Sequence, residues 1–502
     1  MSRRVRWTIA FAATGLLVAA CGSQVPPNQF VGLNGNNNGG GGSLVAGSGT
    51  PGTGGTAGVA GATAGNTGSV GSGSGGGSGG GTGGGSGGGG GNGGSGGRGG
   101  GSGGGGSTVA SGGAGNPLAG VKPGSCAGFK NGPGITNSTI TIANVADLSG
   151  PVPGLFKSAS AAVTAYVAFF NSTSSICGRK LKVENLDSQT SESGDQQASQ
   201  TACGNAFAMV GSMGAFDAGG ASVVNGCGIP DIRAATTETA RQKSPVTFGV
   251  YSLKTNEIPT MPFDYFKSLG GAYKNAAFVY LNAGASSLNA DSFMAGESQL
   301  GYNFKDKIAI DVTSVPNYNG YVTQMKGDGI QYVQYVGAYQ YALQLKQAMY
   351  QQGYNPIFVM DPTAYVSSYV STGAAVNGTY VFIAGPLFQE ANRNPQLATY
   401  LTWLQRTSGG APDFFGTYAW AAAALFTQLA IQLGGKLSRA SMIAALRNVH
   451  NYTQNGMVPP QDVGGKHTPR CLSVIQLQGG NWVRKTPYPY TCGGVVNSGV
   501  GG

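Results

Sequence analysis

The chain has 502 residues, of which 92 are glycine, and its formal net charge is +10. Four of the positive charges, Arg3, Arg4, Arg6 and Arg98, lie in N-terminal segments outside the predicted folded region, which keeps +6 on about 385 residues. The lysines and arginines of that region are scattered rather than clustered, which argues against a nucleic-acid partner. Its length exceeds what one hydrophobic core usually holds and favours two lobes.

Residues 1–20 have the features of an export signal. Three arginines precede an apolar run from Ile9 to Ala20, which is too short to span a bilayer. The run ends in Val18-Ala19-Ala20-Cys21, which resembles a bacterial lipobox, so we expect lipidation at Cys21 and an anchor on the outer face of the cell membrane. The alternative is an ordinary secretory signal that is cleaved near a cysteine. No later apolar run is long and pure enough to predict a transmembrane helix.

Residues 21–116 are predicted to form a flexible tether. From Asn34 to Gly115 the chain is nearly all Gly, Ser, Asn, Thr and Ala. Such a composition buries too little apolar surface to offset the entropy lost on ordering. A Gly/Ser coil of roughly 80 residues has an end-to-end distance on the order of 50 Å. The predicted role is to hold a folded domain, residues 117–502, away from the membrane.

Six cysteines follow Cys21, and an even number in an exported domain favours disulfides. The pairing that proximity predicts is Cys471 with Cys492 across a hairpin, Cys203 with Cys227 between neighbouring elements and, by elimination, Cys126 with Cys177. No pair has CxxC spacing and only His450 and His467 offer imidazole, so neither a metal site nor a cofactor is expected. A Gly-x-Ser-x-Gly motif is also missing from the folded part, which argues against an enzyme of that class.

The first half of the folded region alternates strands and helices. The predicted strands are Thr139–Ala146, Lys180–Asn185, Phe207–Val210 and Ile229–Ala235, and the predicted helices are Leu155–Phe170 and Gln196–Phe207. This βαβαβ order predicts a parallel sheet covered by helices on both faces. In such a sheet ligands bind at the carboxyl ends of the strands. We therefore expect residues 211–217 and 234–238 to be two lips of one binding site.

After a break near residues 251–260 the same rhythm restarts. The predicted strands are Asn275–Leu281, Lys307–Val312, Tyr332–Val336, Pro356–Met360 and Tyr380–Ala384, and the predicted helices are Pro262–Leu269, Asp291–Leu300, Tyr341–Tyr350, Gly416–Leu433 and Ser438–Val449. A hairpin is predicted around Gly479-Gly480. The predicted fold class is α/β with two lobes, each a parallel sheet flanked by helices, and a hinge between them. Lobe 1 is expected to cover about 135–255 with part of the C-terminal region, and lobe 2 about 260–385.

Several short motifs occur along the folded region in an order that can be compared with known families. They are Ile140-Thr141-Ile142, Leu148-Ser149-Gly150-Pro151, Cys177-Gly178-Arg179-Lys180-Leu181, Val210-Gly211, Gly228-Ile229-Pro230, Pro316-Asn317-Tyr318, Gln324-Met325-Lys326 and Ser438 to Arg447. In this order and spacing the chain resembles type I periplasmic binding proteins, and among them the leucine/isoleucine/valine-binding family that serves ABC importers. The resemblance covers nearly all of residues 135–490. It implies a solute-binding lipoprotein that binds a ligand between its lobes and delivers it to an ABC permease.

The resemblance also implies a ligand site. Its predicted residues are Leu155, Ala215, Phe216, Asp217, Ala235, Thr236, Thr237, Tyr339 and Thr363. Thr237 keeps a hydroxyl that can donate to an anionic oxygen, although a threonine there can equally cap the next helix. Tyr339 falls where lobe 2 contributes an aromatic ring, with a core or surface tyrosine as the alternative.

Three of these positions depart from the amino-acid binders. Ala215 replaces the serine of the first lip, Leu155 replaces an aromatic residue, and Thr363 replaces the carboxylate that pairs with the ligand ammonium. Asp217, Glu238 or Asp361 is a possible replacement for that carboxylate. Without one, a buried ammonium is costly, which argues against a standard α-amino acid.

The expected ligand is a small organic molecule: an amino acid, an aromatic acid or an amide. Its apolar body would contact three aromatic side chains that are expected to line the cleft, Phe156, Phe216 and Tyr365. A sensor of the same fold that signals to a receptor and a structural wall protein remain alternatives to transport.

Overall fold

The computed structural model describes residues 106–109 and 113–502. The predicted signal, Cys21 and the predicted tether apart from its last few residues lie outside the described residues. Those last residues contact the folded region: Gln396 Nε2 donates to the Ala114 carbonyl at 2.8 Å, and Thr108 Oγ1 lies 2.8 Å from Ser175 Oγ. Contacts with the folded domain therefore begin before residue 117.

Lobe 1 is built on five parallel strands. They are β1 Thr139–Ala146, β2 Lys180–Asp187, β3 Ala208–Val210, β4 Asp231–Ala235 and β5 Thr247–Tyr251. Their order across the sheet is β2-β1-β3-β4-β5. Seven of the eight residues of β1 are buried, because helices cover both faces of the sheet, as is usual for parallel sheets.

The helices that connect these strands lie on either face of the sheet. They are α1 Lys157–Thr173, α2 Glu192–Asn205, α3 Ala221–Cys227 and α4 Thr239–Lys243. Ser191 caps α2, since its hydroxyl accepts a hydrogen bond from the Gly194 N–H at 3.1 Å. This cap explains why α2 begins four residues before the predicted Gln196.

Lobe 2 contains a second sheet, and a separate pair of short strands lies at the hinge. The strands are β6 Glu257–Pro259, β7 Ala276–Leu281, β8 Phe304–Ile310, β9 Tyr332–Val336, β10 Ile357–Met360, β11 Tyr380–Ile383, β12 Cys471–Gln478, β13 Asn481–Arg484, β14 Thr491–Cys492 and β15 Val495–Asn497. The sheet order is β13-β12-β11-β10-β9-β7-β8, with β14 paired to β12, while β6 pairs with β15. The strands β7 to β11 are parallel, and β12 and β13 add an antiparallel edge.

The helices of lobe 2 cover this sheet. They are α5 Met261–Ser268, α6 Ser286–Gln299, α7 Tyr318–Gly327, α8 Tyr339–Gln351 and α9 Ser367–Val370. The chain then returns to lobe 1 with α10 Pro395–Ser408, α11 Phe414–Leu433 and α12 Arg439–Leu446 before it enters β12. Lobe 1 is therefore completed by residues far along the chain.

Helix α11 is the central core helix of lobe 1. By length and composition it could cross a membrane, the one helix of the described residues that could, but 89% of its apolar stretch is buried inside the protein. Trp420 is fully buried and its ring packs against that of Tyr166 with centroids 4.9 Å apart. The apolar composition of α11 thus follows from its position in the core.

All three predicted disulfides form: Cys126–Cys177, Cys203–Cys227 and Cys471–Cys492. Next to the second one, Arg439 donates to four backbone carbonyls, those of Cys203, Ala206, Phe207 and Cys227, at 2.6–3.2 Å. A cation at the ends of two helices satisfies carbonyls that have no partner within the helix. The disulfide and Arg439 together fix α12 to α2 and α3.

Candidate functional site

The two sheets face each other across a cavity of about 240 Å³. Its walls come from the loops that follow the carboxyl ends of the strands in both lobes and from the hinge segment 251–259. The side chains that face it are mainly apolar, and the largest are Leu155, Phe156, Met213, Phe216, Tyr251, Ile258, Leu281, Phe293, Phe382 and Phe415. The cavity lies where an open parallel sheet is expected to bind its ligand.

The first lip of lobe 1 follows β3. It starts at Gly211, whose φ is +67° and where a Cβ would lie 2.4 Å from Val163 Cγ2, so that only glycine fits. The lip then presents Ala215 and Phe216 to the cavity. The Ala215 N–H donates to Asp147 Oδ2 at 2.8 Å, and this bond holds the lip in place.

The second lip follows β4 and is held in a similar way. Asp217 accepts hydrogen bonds from the N–H groups of Thr237 and Glu238, both at 2.9 Å. The Thr237 hydroxyl donates to the Gly214 carbonyl at 2.8 Å, which joins the two lips. Thr236 and Thr237 line the cavity, and Asp217 is fully buried behind them.

A buried group of charges lies beneath both lips. Arg233 Nε is 3.5 Å from Asp217 Oδ2, and Arg233 Nη1 is 3.7 Å from Asp231 Oδ2, with all three side chains fully buried. Burial raises the pKa of Asp147, and the charge of Arg233 acts in the opposite direction. The hydrogen bonds from Ser188 and Ala215 and the charge of Arg233 thus partly offset the effect of burial on the pKa of Asp147.

The lobe 2 wall contains one carboxylate, that of Asp361, at the end of β10. It accepts hydrogen bonds from the Gly337 N–H at 3.0 Å and the Thr363 N–H at 2.9 Å. The Thr363 hydroxyl donates to the Gly337 carbonyl at 2.8 Å and also contacts the Asp361 carboxylate. Burial raises the pKa of Asp361 to about 6, above the ordinary value of an aspartate, while its hydrogen bonds to Thr363 and Gly337 act in the opposite direction.

The hinge wall contains an ion pair. Lys254 Nζ lies 3.0 Å from Glu257 Oε1, and the other oxygen of Glu257 accepts from the Thr468 N–H at 3.0 Å. His467 Nδ1 is also 2.9 Å from Glu257. Burial alone would raise the pKa of Glu257, but its hydrogen bonds to His467, Lys254 and Thr468 hold it below the usual value.

Six of the nine predicted site residues line the cavity: Leu155, Ala215, Phe216, Thr236, Thr237 and Thr363. Phe156, expected in the cleft for its ring, lines it as well. The structure brings these residues together from four separate parts of the chain, because each part follows the carboxyl end of a strand: β1, β3, β4 or β10.

The other three predicted residues lie off the cavity. Asp217 accepts a hydrogen bond from the second lip, and Ala235 is buried within β4. Tyr339 is the first residue of α8, and its hydroxyl lies 2.7 Å from Ser368 Oγ of α9. Tyr365, also expected in the cleft, instead stacks on Phe388 in the core with centroids 4.7 Å apart. The structure therefore places these four residues outside the cavity wall.

Sequence reasoning missed the hinge residues and the aromatic side chains of lobe 2. Tyr251 and Ile258 lie in the break near residues 251–260 that separates the two predicted runs of strands and helices. Phe293 lies in a predicted helix and Phe382 in a predicted strand. Nothing in a helix or strand pattern shows which of its aromatic residues faces a second lobe. Among residues 106–109 and 113–502, no group of three or more His, Cys, Asp or Glu could hold a metal ion.

Two lobes with parallel sheets, a hinge and one cavity between them define a two-lobed solute-binding protein. The family model for periplasmic binding proteins matches residues 139–481, and the chain belongs to this family. The fold and the family that the sequence motifs indicated are thereby confirmed. Such proteins bind solutes outside the cytoplasm, and the family is not one of enzymes. A search of curated proteins found no match.

Solved structures share this fold. A fatty acid ABC transporter substrate-binding protein from Thermomonospora curvata aligns with a TM-score of 0.62 and 18% identity, over 73% of this chain and 95% of its own. An ABC transporter solute-binding protein of R. palustris in complex with benzoate gives 0.60 and 14%, over 72% and 99%. The branched-chain amino acid binding protein LivJ of Streptococcus pneumoniae, in complex with isoleucine, gives 0.56 and 14%, over 69% and 100%.

Proposed function

We propose that this protein captures a small organic molecule with an apolar body between its lobes and delivers it to an ABC importer. The observation that carries the proposal is the mainly apolar cavity of about 240 Å³ to which both lobes and the hinge contribute. A ligand that contacts both lobes stabilises the closed form, since only differential contacts shift the equilibrium between open and closed states. The importer would then recognise the closed form.

The size and lining of the cavity support an apolar ligand body. A cavity of roughly 150 Å³ lined by apolar side chains holds one benzene molecule, so about 240 Å³ admits a ring and several further heavy atoms. Phe156, Phe293 and Phe382 supply aromatic surface from both lobes. The structural relatives include a fatty acid ABC transporter substrate-binding protein and complexes with benzoate and with isoleucine, and each of these molecules has an apolar body.

Small-angle scattering tests the proposal directly. Compounds that raise the melting temperature of the protein should also reduce its radius of gyration, because the lobes close on them. Mass spectrometry after mild denaturation would identify any molecule that co-purifies. If every stabilising compound leaves the radius of gyration unchanged, the proposal of capture between the lobes is overturned.

A matched pair of variants separates cavity binding from surface effects. Ala215→Trp adds bulk at a residue that lines the cavity, so it should abolish the ligand-induced changes in melting temperature and radius of gyration. Val315→Trp adds the same side chain at a position that is 97% exposed and should leave both changes intact. Equal responses of the two variants would contradict the assignment of the cavity.

We further propose that the protein is tethered to the membrane through an acyl chain on Cys21. The support is the lipobox-like segment Val18–Cys21 that ends the apolar run. Such an anchor holds a protein at a membrane without a spanning helix. Cys21→Ser should release the protein from the membrane fraction, and continued membrane association of that variant would contradict the anchor.

A further inference from the structure

We infer that the cavity takes a molecule with an apolar tail that lies along helix α6, and that Ile258 of the hinge strand β6 sets the longest tail that fits. The inference rests on the proposed function, because it concerns the shape of the same ligand. It goes beyond that function by naming the direction of the tail, the position of the polar group and the residue that limits the length.

One face of α6 runs along the cavity. Ser286, Asn289 and Phe293 line it, and their spacing of three and four residues places them on one side of the helix. Phe293 comes seven residues after Ser286, so at the rise of 1.5 Å per residue the cavity follows α6 for roughly 10 Å. The cavity therefore has room for an extended tail.

The deep end of the cavity is enclosed by aromatic rings. The centroids of Phe293 and Phe382 lie 6.1 Å apart, and both rings pack on Phe263, at 6.1 Å and 5.8 Å. Phe382 is 4% exposed and Phe263 is fully buried, so this end lies inside the protein. Each methylene of a tail that enters it leaves water for an apolar surrounding, which favours binding.

Ile258 forms the floor of the deep end. It lines the cavity with 2% of its surface exposed, and α6 lies directly on it, because a Cβ at Gly296 would be 2.6 Å from Ile258 Cγ1. Gly296 continues the same face of α6 one turn beyond Phe293, so the space along the helix ends where Gly296 meets Ile258. Successive side chains of a strand point to opposite faces, and the preceding Glu257 contacts His467 Nδ1 at 2.9 Å. The floor itself is therefore apolar.

Polar side chains lie at the opposite end, where α6 begins. Ser286 and Asn289 are half-buried and line the cavity. Within the part of the chain that the structure describes, their side chains have no hydrogen-bond partner. A polar group of the ligand can bond to them while its tail points inward. Hydroxyl and amide groups both donate and accept, so this end does not restrict the polar group to one charge.

The inference is tested with straight-chain compounds from butyl to decyl, in three series that carry a carboxylate, an amide or an ammonium group. Affinities are measured by calorimetry on the folded, disulfide-bonded protein. In each series that binds, every added methylene should tighten binding about fourfold until the tail reaches Ile258. Longer tails should then bring no further gain.

Two substitutions at Ile258 test the floor. Ile258→Val should lengthen the longest tail that still gains affinity by about one methylene, and Ile258→Ala by about two, because each removes volume from the deep end. The measured quantity is the ratio of affinities for successive chain lengths within one variant, which a general loss of stability does not change.

Ile330→Ala is the matched control. Ile330 is also buried, with 3% of its surface exposed, but it precedes β9 at the end of the sheet away from the cavity. This variant should keep the natural limit. An unchanged limit in the Ile258 variants overturns the role of Ile258, and if Ile258→Ala does not fold, the smaller change in Ile258→Val decides.

The outcomes separate this inference from the proposed function. An affinity that does not depend on chain length, or benzoate binding more tightly than every chain, overturns the tail along α6 and leaves the proposed function intact. The same holds if no chain binds while other compounds still raise the melting temperature and reduce the radius of gyration. If no compound of any kind does so, the proposed function fails and the inference fails with it.

Discussion

Arg233 is the side chain on which both lips of lobe 1 depend. Its guanidinium lies between Asp217, which holds the second lip, and Asp231, and its charge also acts on Asp147, which holds the first. Each of these groups is buried, so water cannot replace a lost partner. A buried carboxylate whose cation is removed is costly, even where the intact pair adds little to stability.

We predict that Arg233→Met destabilises the protein by about 3–5 kcal/mol, the usual cost of removing one partner from a buried ion pair. The free energy of unfolding is measured by denaturant titration. Lys182→Met is the control, because Lys182 pairs with Glu184 on the surface with 61% of its side chain exposed, and such pairs contribute roughly 0–1 kcal/mol. Equal losses in the two variants would contradict the role given to Arg233.

The sequence predicted where the two lips of lobe 1 lie, but not which groups accept hydrogen bonds from their backbone N–H groups. Residues 211–217 and 234–238 were predictable because they follow two apolar strands of a parallel sheet. The partner of the Ala215 N–H is Asp147, 68 residues earlier in the chain, and no local pattern connects these two positions. The family comparison therefore suggested a site for an anionic group, while the structure shows those N–H groups already bonded.

At the scale of elements, strands were predictable where both faces are buried. The strand Thr139–Ala146 was predicted with the bounds that β1 has, and Tyr332–Val336 with those of β9. The strand β5 was missed because glycine, which is unfavourable in strands, stands at its centre. The first turn of α6, Ser286 to Asn289, was missed because it is polar and faces the cavity and the hinge, so it shows no apolar periodicity.

The C-terminal segment 493–502 is an element that no sequence pattern indicated. Its strand β15 pairs antiparallel with the hinge strand β6. At the end of β15, Gln299 on lobe 2 donates to the Asn497 carbonyl at 2.8 Å. Beyond β15, Thr239 on lobe 1 donates to the Gly501 carbonyl at 3.1 Å. The segment therefore connects both lobes along the hinge.

We predict that removal of residues 495–502 exposes the hinge strand and lets the lobes open further. The amides of Glu257 and Ile258 should exchange faster with deuterium because β6 loses its partner strand, and the radius of gyration without ligand should increase. A shorter truncation that removes only Gly501 and Gly502 breaks the contacts with lobe 1 but keeps β15, so it should increase the radius while the protection of β6 stays. If neither truncation changes either quantity, the segment does not restrain the hinge.

At the scale of the whole molecule, the two-lobed architecture was predictable from a rhythm of strands and helices that stops and restarts. The assignment of the C-terminal residues was harder. Helices α10 to α12 complete lobe 1, whereas β12 and β13 extend the sheet of lobe 2, beyond its expected end near residue 385. The lobe that a C-terminal segment joins depends on packing between distant parts of the chain. The sequence pattern of the hairpin around Gly479-Gly480 would be the same in either lobe, so it does not predict which sheet the hairpin extends.

Both lobes contain carboxyl groups whose pKa is raised by burial. Burial raises the pKa of Asp195 to about 6 and of Glu238 to about 7, and it raises that of Glu297 well above its ordinary value. A carboxyl with a raised pKa holds its proton more tightly in the folded state than in the unfolded state. Its contribution to stability is therefore fully present below its ordinary pKa and is lost as the pH rises through the folded value.

We predict that the melting temperature falls as the pH rises from about 5 to about 7.5, with the ligand absent. The carboxyls with lowered pKa, such as Glu257, act below this window and do not reverse the trend. Glu297→Gln should reduce the slope and raise the melting temperature at the alkaline end, because glutamine has no proton to release when the chain unfolds, whereas the fully buried Glu297 keeps its proton only in the folded state. Glu184→Gln, at the surface pair with Lys182, should leave the slope unchanged. A melting temperature that rises steadily over the same pH range would show that the buried carboxyls of both lobes do not control the stability of the protein.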